Sequence, residues 1–128
     1  MALNDTLSNA LSTILKAESL GRISCTVQDS KLIRQMLSVM RDEGYIGKFS
    51  PIESERAKIH VVLSGAINKC GVIKPRYSIK LSEYEKFEKR YLPAKNMGVI
   101  ILSTPQGITT HRAAKERKSG GRLLAYCY

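Results

Sequence analysis

The sequence predicts an α+β fold of two small α/β lobes, the first with element order α-β-α-β-β and the second mainly β with short helices. Apolar residues recur at helical spacing in some segments and alternate with polar residues in others, and turn-forming residues separate these segments. With 128 residues, 43% of them hydrophobic, the chain can bury a core. We expect the lobes to span residues 1–65 and 66–128, divided after the turn at Ser64 and Gly65.

The first lobe is expected to contain two helices and three strands. Asn4 or Asp5 can cap the first helix, Ser30 caps the second, and Gly44 suits the turn that ends it. In chain order, the expected elements are a helix near 5–18, a strand at 23–28, a helix between Ser30 and Gly44, and strands at 45–49 and 57–63 with Ile59, Val61 and Leu63 facing inward.

The second lobe is expected to contain shorter elements around one buried strand. Pro75 marks the first of its strands as an edge strand or an irregular segment, because proline cannot donate to a sheet. Ser82 and Glu85 have the spacing of a capping box. In chain order, the expected elements are an extended segment at 72–78, a short helix after Ser82 that ends before Pro93, a central strand at 99–102, a short basic helix at 110–118 capped by Thr110, and a strand at 123–128.

The charge of the chain is strongly positive and unevenly distributed. Its 21 Lys and Arg residues against 11 Asp and Glu residues give a net charge of +10 and a pI near 9.7. Residues 1–65 contain eight basic and seven acidic residues, whereas residues 66–128 contain thirteen and four. This asymmetry favours a polyanionic partner for the second lobe, although a solvated basic surface gives the same composition.

Several function classes have little support in the sequence. No apolar run reaches the roughly 18 residues of a membrane helix, and the N-terminus lacks the pattern of a signal peptide. Cys70 with His60 or His111 is the best candidate for a catalytic nucleophile pair, but nothing in the spacing places them together. The sequence contains no phosphate-binding glycine motif and no paired metal-ligand spacing. We therefore predict no enzymatic activity, no cofactor and no metal, and three reduced cysteines.

The segment from Ser103 to Gly107, Ser-Thr-Pro-Gln-Gly, has the composition of a turn that contacts RNA. Hydroxyls, amides and exposed backbone N–H groups bind phosphates, 2′-hydroxyls and base edges, and Gly107 permits close approach. Such groups suit an irregular RNA helix, which is recognised by its shape. The same residue types also build turns without any ligand. From this segment we predict RNA contacts by Ser103, Thr104, Gln106 and Gly107.

Basic residues and a glycine pair follow this segment. They are candidates for phosphate contacts, which give affinity and salt dependence without reading sequence, but some belong to a solvated helix face. Thr110 leaves the helix start open to a phosphate, and the glycines either expose backbone N–H groups or only end the helix and begin the strand. The residues of this group are Thr110, Arg112, Lys115, Arg117, Lys118, Gly120, Gly121 and Arg122.

Four segments of the chain occur in the order Gly44–Phe49 (GYIGKF), Ile67–Tyr77 (INKCGVIKPRY), Leu92–Ala94 (LPA) and the stretch from Ser103 to Arg122. In this order they resemble the family of the eighth protein of the small ribosomal subunit, in its eukaryotic and archaeal branch. The resemblance spans nearly the whole chain. Its turn has Pro105 where the family has a second serine, which removes a hydroxyl and a backbone N–H.

The resemblance implies a structural constituent of the small ribosomal subunit in the cytoplasm. It implies direct binding to the central domain of small-subunit ribosomal RNA, a role in assembly, and neighbouring ribosomal proteins as partners, with no membrane. The second lobe is expected to carry most of the RNA recognition, Lys74 and Arg76 lie in a stretch that is basic in the family, and a secondary RNA contact is expected at Ser30, Lys31 and Arg34. The alternative is a free-standing regulator that binds DNA or messenger RNA.

Overall fold

The computed structural model describes residues 6–54, 56–73, 76–94 and 97–128. The chain divides into two compact units, Met1–Cys70 and Gly71–Tyr128. The helices are α1 Thr6–Ser19, α2 Lys31–Asp42, α3 Tyr84–Tyr91 and α4 His111–Glu116, and the strands are β1 Ser24–Gln28, β2 Ile46–Pro51, β3 Lys58–Leu63, β4 Cys70–Val72, β5 Ser78–Ile79, β6 Val99–Thr104, β7 Gly107–Thr110 and β8 Gly121–Cys127. This mixture of helices and antiparallel sheets confirms the predicted α+β fold.

Unit 1 packs two helices on a three-stranded antiparallel sheet with order β1-β3-β2. The Oγ of Ser30 accepts a hydrogen bond from Ile33 N at 3.1 Å, which confirms the predicted cap of α2. Gly44 follows α2 with φ +85° and donates its N–H to Arg41 O, as the predicted helix end requires. The predicted caps of α1, Asn4 and Asp5, lie outside the described residues.

The core of unit 1 comes from one face of each element. Alternate residues of β3 (Ile59, Val61 and Leu63) are buried while the residues between them are exposed, as the alternation predicted. The buried stripes of the helices recur at intervals of three and four residues, which places one side of each helix against the sheet. They are Leu7, Ala10, Leu11, Ile14 and Ala17 in α1, and Ile33, Met36, Leu37 and Met40 in α2.

Unit 2 contains a sheet with order β4-β8-β6-β7, and β5 also pairs with β8. The predicted central strand is confirmed, because β6 lies between β7 and β8 and its first four residues are buried. Ile100, Leu102 and Leu123 face a core that also contains Tyr84 and Phe87 of α3.

Some local predictions for unit 2 were wrong. For the segment at 72–78, expected as an edge strand or an irregular stretch, only the two ends belong to strands, β4 and β5. Its described residues between them form no strand, and Pro75 lies outside the described residues. The capping box falls two residues early, since the Glu83 carboxylate accepts a hydrogen bond from Lys80 N at 2.8 Å and a 3₁₀ turn at Leu81–Glu83 precedes α3. Strand β7 was not expected. It forms because the Ser103–Gly107 turn is tight enough to return the chain along β6.

The described residues include no helix that is both long enough and apolar enough to span a bilayer. The longest, α1, has 14 residues and a polar outer face.

Candidate nucleic-acid interface

The β6–β7 hairpin places the predicted turn at one end of the unit 2 sheet. In the register of the sheet, Ser103 lies opposite Ile108 of β7 on one side and opposite Arg122 of β8 on the other. Arg122 is in turn opposite Ser78 of β5. Directly opposed residues of antiparallel strands point to the same face. Ser78, Arg122, Ser103 and Ile108 therefore form one row across four strands, which we call the Ser103 row.

The polar members of the Ser103 row are accessible. Arg122 and Ser78 are exposed and Ser103 is half-buried. Within the described part of the chain, the Ser103 hydroxyl has no hydrogen-bond partner and the Arg122 guanidinium has no ion pair. A hydroxyl and a guanidinium on adjacent strands place a hydrogen-bond donor beside a cation. This combination binds a sugar-phosphate backbone.

Thr104 and the tip of the turn have different roles. The hydroxyl of Thr104 donates to Gly107 O at 2.9 Å and accepts from Gln106 N at 3.2 Å, so it holds the turn together. Thr104 is 9% exposed. Pro105 and Gln106 form the exposed tip. Thr104 is thus committed to the turn, while the Gln106 amide extends into solvent.

Gly107 has room around it and an unusual backbone conformation. Its φ is +122°, which side-chain-bearing residues rarely adopt, and a Cβ added there would meet no atom within 4 Å. The glycine is therefore required by the backbone angle and not by packing. The open space beside it lets another molecule approach the backbone at this end of the hairpin.

The glycine pair before β8 has a packing role. A Cβ on Gly121 would lie 2.5 Å from Ser103 O and 2.8 Å from Leu102 Cδ1, and one on Gly120 would meet the carbonyl oxygen of Ile79. Gly121 begins β8, and the left-handed residue after α4 is Lys118, with φ +55°. The glycines therefore allow β8 to approach β5 and β6, and they bring Arg122 next to Ser103.

Helix α4 begins at the predicted cap, because the Thr110 hydroxyl accepts from Ala113 N at 3.2 Å. Two of its predicted phosphate-binding cations already have partners. Arg112 Nη2 donates to Gly98 O at 3.0 Å, and Lys115 Nζ lies 2.6 Å from Glu88 Oε1. These interactions fasten α4 to the rest of unit 2, and they reduce the charge that Lys115 can offer to a phosphate.

His111 also binds Glu88, and the sequence pattern did not predict a structural role for His111. It is 2% exposed, its Nδ1 accepts from Ile100 N at 3.0 Å, and its Nε2 lies 3.1 Å from Glu88 Oε1. Burial lowers its pKa from 6.5 to about 4, with the cations of Arg112 and Lys115 acting in the same direction and the Glu88 carboxylate opposing them. The imidazole is therefore neutral at pH 7 and donates its Nε2–H to Glu88. A lone histidine in a polar stretch gives no sequence signal for this role.

Lys118 and Arg117 are exposed and form no ion pair with any residue that the structure describes. Lys118 follows the C-terminus of α4, where its N–H donates to Lys115 O at 3.0 Å. Tyr84 Oη donates to Ser119 O at 2.7 Å and so ties the same segment to α3. The most available cations near the end of α4 are thus Arg117, Lys118 and Arg122.

The candidate site in unit 1 is largely neutralised by its own neighbours. Arg34 forms a two-pronged ion pair with Asp29, with Nε to Oδ1 at 2.6 Å, and the hydrogen bond from Arg34 lowers the pKa of Asp29. The Ser30 hydroxyl accepts the hydrogen bond that caps α2. Of the three predicted residues, Lys31 is exposed and forms no ion pair with a described residue. Asp29 places a negative charge beside this helix start, which disfavours a phosphate there.

The remaining predicted cations are only partly described. Arg76 is exposed, before β5. Lys74 lies outside the described residues, so its predicted contact stays a prediction.

The surroundings of Cys70, His60 and His111 do not favour the nucleophile pair that was considered. Burial raises the pKa of the Cys70 thiol to about 12, with the Glu18 carboxylate acting in the same direction, and the thiol donates to Leu11 O at 3.5 Å. His60 lies on the exposed side of β3, and both nitrogens of His111 are engaged. No group of three or more potential metal ligands occurs within residues 6–54, 56–73, 76–94 and 97–128.

Comparison with known proteins identifies the family of this chain. Residues 5–128 match the family described as Ribosomal protein S8. The chain is also similar to the small ribosomal subunit protein uS8 of the archaeon Methanococcoides burtonii, with 51% identity over 130 residues and complete coverage of both chains. A family match over almost the entire sequence, together with a full-length relative at this identity, leaves one assignment. The chain belongs to the ribosomal protein S8 family.

Proposed function

We propose that the chain is a structural component of the small ribosomal subunit, that it binds the central domain of the small-subunit ribosomal RNA directly, and that it assists assembly of that domain. The Ser103 row and the tip of the β6–β7 hairpin form the principal contact. The partners are this RNA and neighbouring ribosomal proteins. Membership of the ribosomal protein S8 family and the similarity to a small-subunit protein support the assignment to this particle.

The observation that carries the RNA contact is the opposition of Ser103 and Arg122 in the sheet. The arginine supplies a fixed positive charge, and the serine supplies a hydroxyl that has no partner among the described residues. Since β6 is a buried central strand and β8 pairs with it, the backbone at both residues is held in place and loses little further freedom on binding. The net charge of the second half of the sequence supports the same surface.

The contact geometry favours recognition of shape over recognition of sequence. The major groove of an A-form helix is too deep and narrow for side chains, whereas bulges and irregular internal loops expose bases and 2′-hydroxyls. Ser103 and the Gln106 amide can donate to and accept from such groups. The exposed cations Lys118 and Arg122 neutralise phosphates of either strand without distinguishing bases.

A binding experiment on the full chain tests the proposal. A fragment of the small-subunit RNA central domain is compared with a fully paired RNA of equal length, at low and at moderate salt. We expect the fragment to bind more tightly by about 4 kcal/mol or more at moderate salt, the lower end of specific discrimination. Equal binding that disappears with salt would instead indicate a generic basic protein, and preference for a DNA or messenger RNA site would indicate a regulator.

A further inference from the structure

Strand β1 is an edge strand with an open side. It pairs with β3 and, among the described residues, with no other strand. Its register pairs Ser24 with Val62 and runs without a shift to Gln28 and Lys58. A regular edge of this kind exposes a row of backbone donors and acceptors to which another strand can add.

The hydrogen-bond pattern identifies which backbone groups are exposed. Leu63 N donates to Ile23 O at 2.9 Å and Asp29 N donates to Ala57 O at 2.8 Å, so odd-numbered residues of this strand bond to β3. In an antiparallel pair the intervening residues direct their N–H and C=O groups the other way. The backbone groups of Ser24, Thr26 and Gln28 therefore point to the open side.

The two edges of this sheet differ in how they are protected. Strand β2, at the other edge, carries Lys48 and Pro51 and has a register shift between Ile46 and Phe49. Charge, proline and irregular register are the usual devices that prevent unwanted strand pairing. Strand β1 (Ser-Cys-Thr-Val-Gln) has no charge, no proline and no register shift. The β1 edge is thus regular enough to pair with another strand, and it lacks the protective features of the β2 edge.

A groove of about 560 Å³ follows the open side, between α1 and β1. Ser24 and Thr26 line it from the strand, and Leu20, which is 59% exposed, lines it from the helix end. Ile23 adjoins it in the chain and is 82% exposed. Apolar side chains that are exposed beside an open strand edge can contact the apolar side chains of an added strand.

The charges of the groove select the class of partner. Lys16 and Arg22 both line it, and neither forms an ion pair with a described residue. A second copy of this chain fits poorly, because both acidic side chains near its own β1 are already engaged. Asp29 is paired with Arg34, and Glu18, which lies near Cys25, accepts a hydrogen bond from Ile67 N at 3.0 Å. RNA would leave the apolar side chains and the backbone edge unused.

We propose that β1 accepts an extended segment of another protein as an added strand, and that this segment carries acidic side chains that meet Lys16 and Arg22. Backbone pairing with Ser24, Thr26 and Gln28 supplies the affinity, and the groove supplies the preference for apolar and acidic side chains. This surface lies in unit 1 and uses none of the Ser103 row. Binding of a protein strand at this surface goes beyond the RNA contact. Only the search for the natural partner within the small subunit rests on the proposed function.

The first test uses the free chain and a defined probe, so it does not depend on ribosome assembly. The isotope-labelled full chain is titrated with a short capped peptide of alternating valine and glutamate, and amide shifts and hydrogen exchange are followed by NMR. We expect slower exchange at the amides of Ser24, Thr26 and Gln28. The same peptide with lysine in place of glutamate should bind measurably more weakly, by about fivefold, the upper value for loss of a solvent-exposed ion pair.

Two variants separate backbone pairing from side-chain effects. Thr26→Pro removes an outward N–H without removing a bond to β3, so the fold should persist while the protection by the peptide is lost. Thr26→Val keeps the N–H and should bind as the wild type does. Equal binding of both peptides, equal binding by both variants, or perturbation of these amides by single-stranded oligouridine would overturn the proposal.

The second test asks for the natural partner. A photo-reactive side chain at position 23, in the chain incorporated into small subunits, should cross-link to protein and not to RNA, with a lower yield when Lys16→Glu and Arg22→Glu are combined. Cross-links to RNA would overturn the proposal even if the peptide binds. Failure of the chain to enter small subunits would contradict the proposed function instead, and the peptide titration would still decide the strand-pairing proposal.

Discussion

The buried imidazole of His111 and the carboxylate of Glu88 lie 3.1 Å apart, and the same carboxylate oxygen lies 2.6 Å from Lys115 Nζ. His111 also accepts the N–H of Ile100, at the second residue of the central strand. One carboxylate thus joins α3 to both ends of α4, and the histidine joins α4 to β6. This small polar cluster fixes the helix that follows the hairpin.

Stability should fall in acid through His111. Its pKa in the folded chain, about 4, lies below the 6.5 of an unperturbed histidine, so the unfolded chain binds more protons between these values. The contribution is complete above pH 6.5 and is lost as the pH falls towards 4, by about 3 kcal/mol. Urea unfolding at several pH values should show a steeper acid loss for wild type than for His111→Gln. The exposed His60→Gln serves as the control, and parallel curves for wild type and His111→Gln would contradict the assignment.

Gly121→Ala should destabilise the chain by about 2 kcal/mol or more, because the new Cβ overlaps the backbone of β6 and cannot be relieved by a side-chain rotation. Gly47→Ala is the matched control, since its Cβ would lie 3.3 Å from Val62 and both glycines are in strands. Denaturant unfolding measures the difference. If the two variants lose the same stability, the close approach of β8 to β6 is not what requires Gly121.

Periodicity and turn chemistry predicted the element order of unit 1 because each of its segments presents a regular apolar stripe, as β3 does. In unit 2 the strands are short, so β7 and the division between β4 and β5 depend on pairing partners that lie far away in sequence. The same reason explains the site. Ser103 and Arg122 were recognised as candidates by residue type, but their opposition depends on the register of β6 and β8, and the Glu88 ion pair of Lys115 joins residues 27 apart.

Membership of a ribosomal protein family confirms the prediction that the chain is not an enzyme. The composition indicated a polyanionic partner and the four matching segments indicated the family. Neither the composition nor those segments indicated the open edge of β1, because the protection of an edge is visible only after the neighbours of each strand are known.

Arg122→Ala should reduce the salt dependence of RNA binding more than Lys115→Ala does. Each phosphate contact contributes about 0.9 to the slope of log K against log salt concentration for a duplex, and Lys115 is already neutralised in part by Glu88. We expect Arg122→Ala to lower the slope by about one and Lys115→Ala by clearly less. Arg56→Ala, an exposed residue of unit 1, should leave the slope unchanged. A larger effect at Lys115 than at Arg122 would move the phosphate contact from the Ser103 row to α4.

Ser103→Ala should weaken binding to the central-domain fragment by on the order of 1 kcal/mol, the usual value of one neutral hydrogen bond, and by more if an RNA group is left buried without a partner. Binding to the fully paired RNA should change little, because a duplex does not present the irregular groups that the hydroxyl meets. Since the hydroxyl has no partner among the described residues, the free energy of unfolding should also change little. Ser12→Ala removes an exposed hydroxyl from α1 and serves as the control for both measurements. Equal affinity of Ser103→Ala and wild type for the fragment would remove Ser103 from the contact, whereas equal losses on both RNAs would show that the hydroxyl contributes only to general attraction and not to recognition of shape.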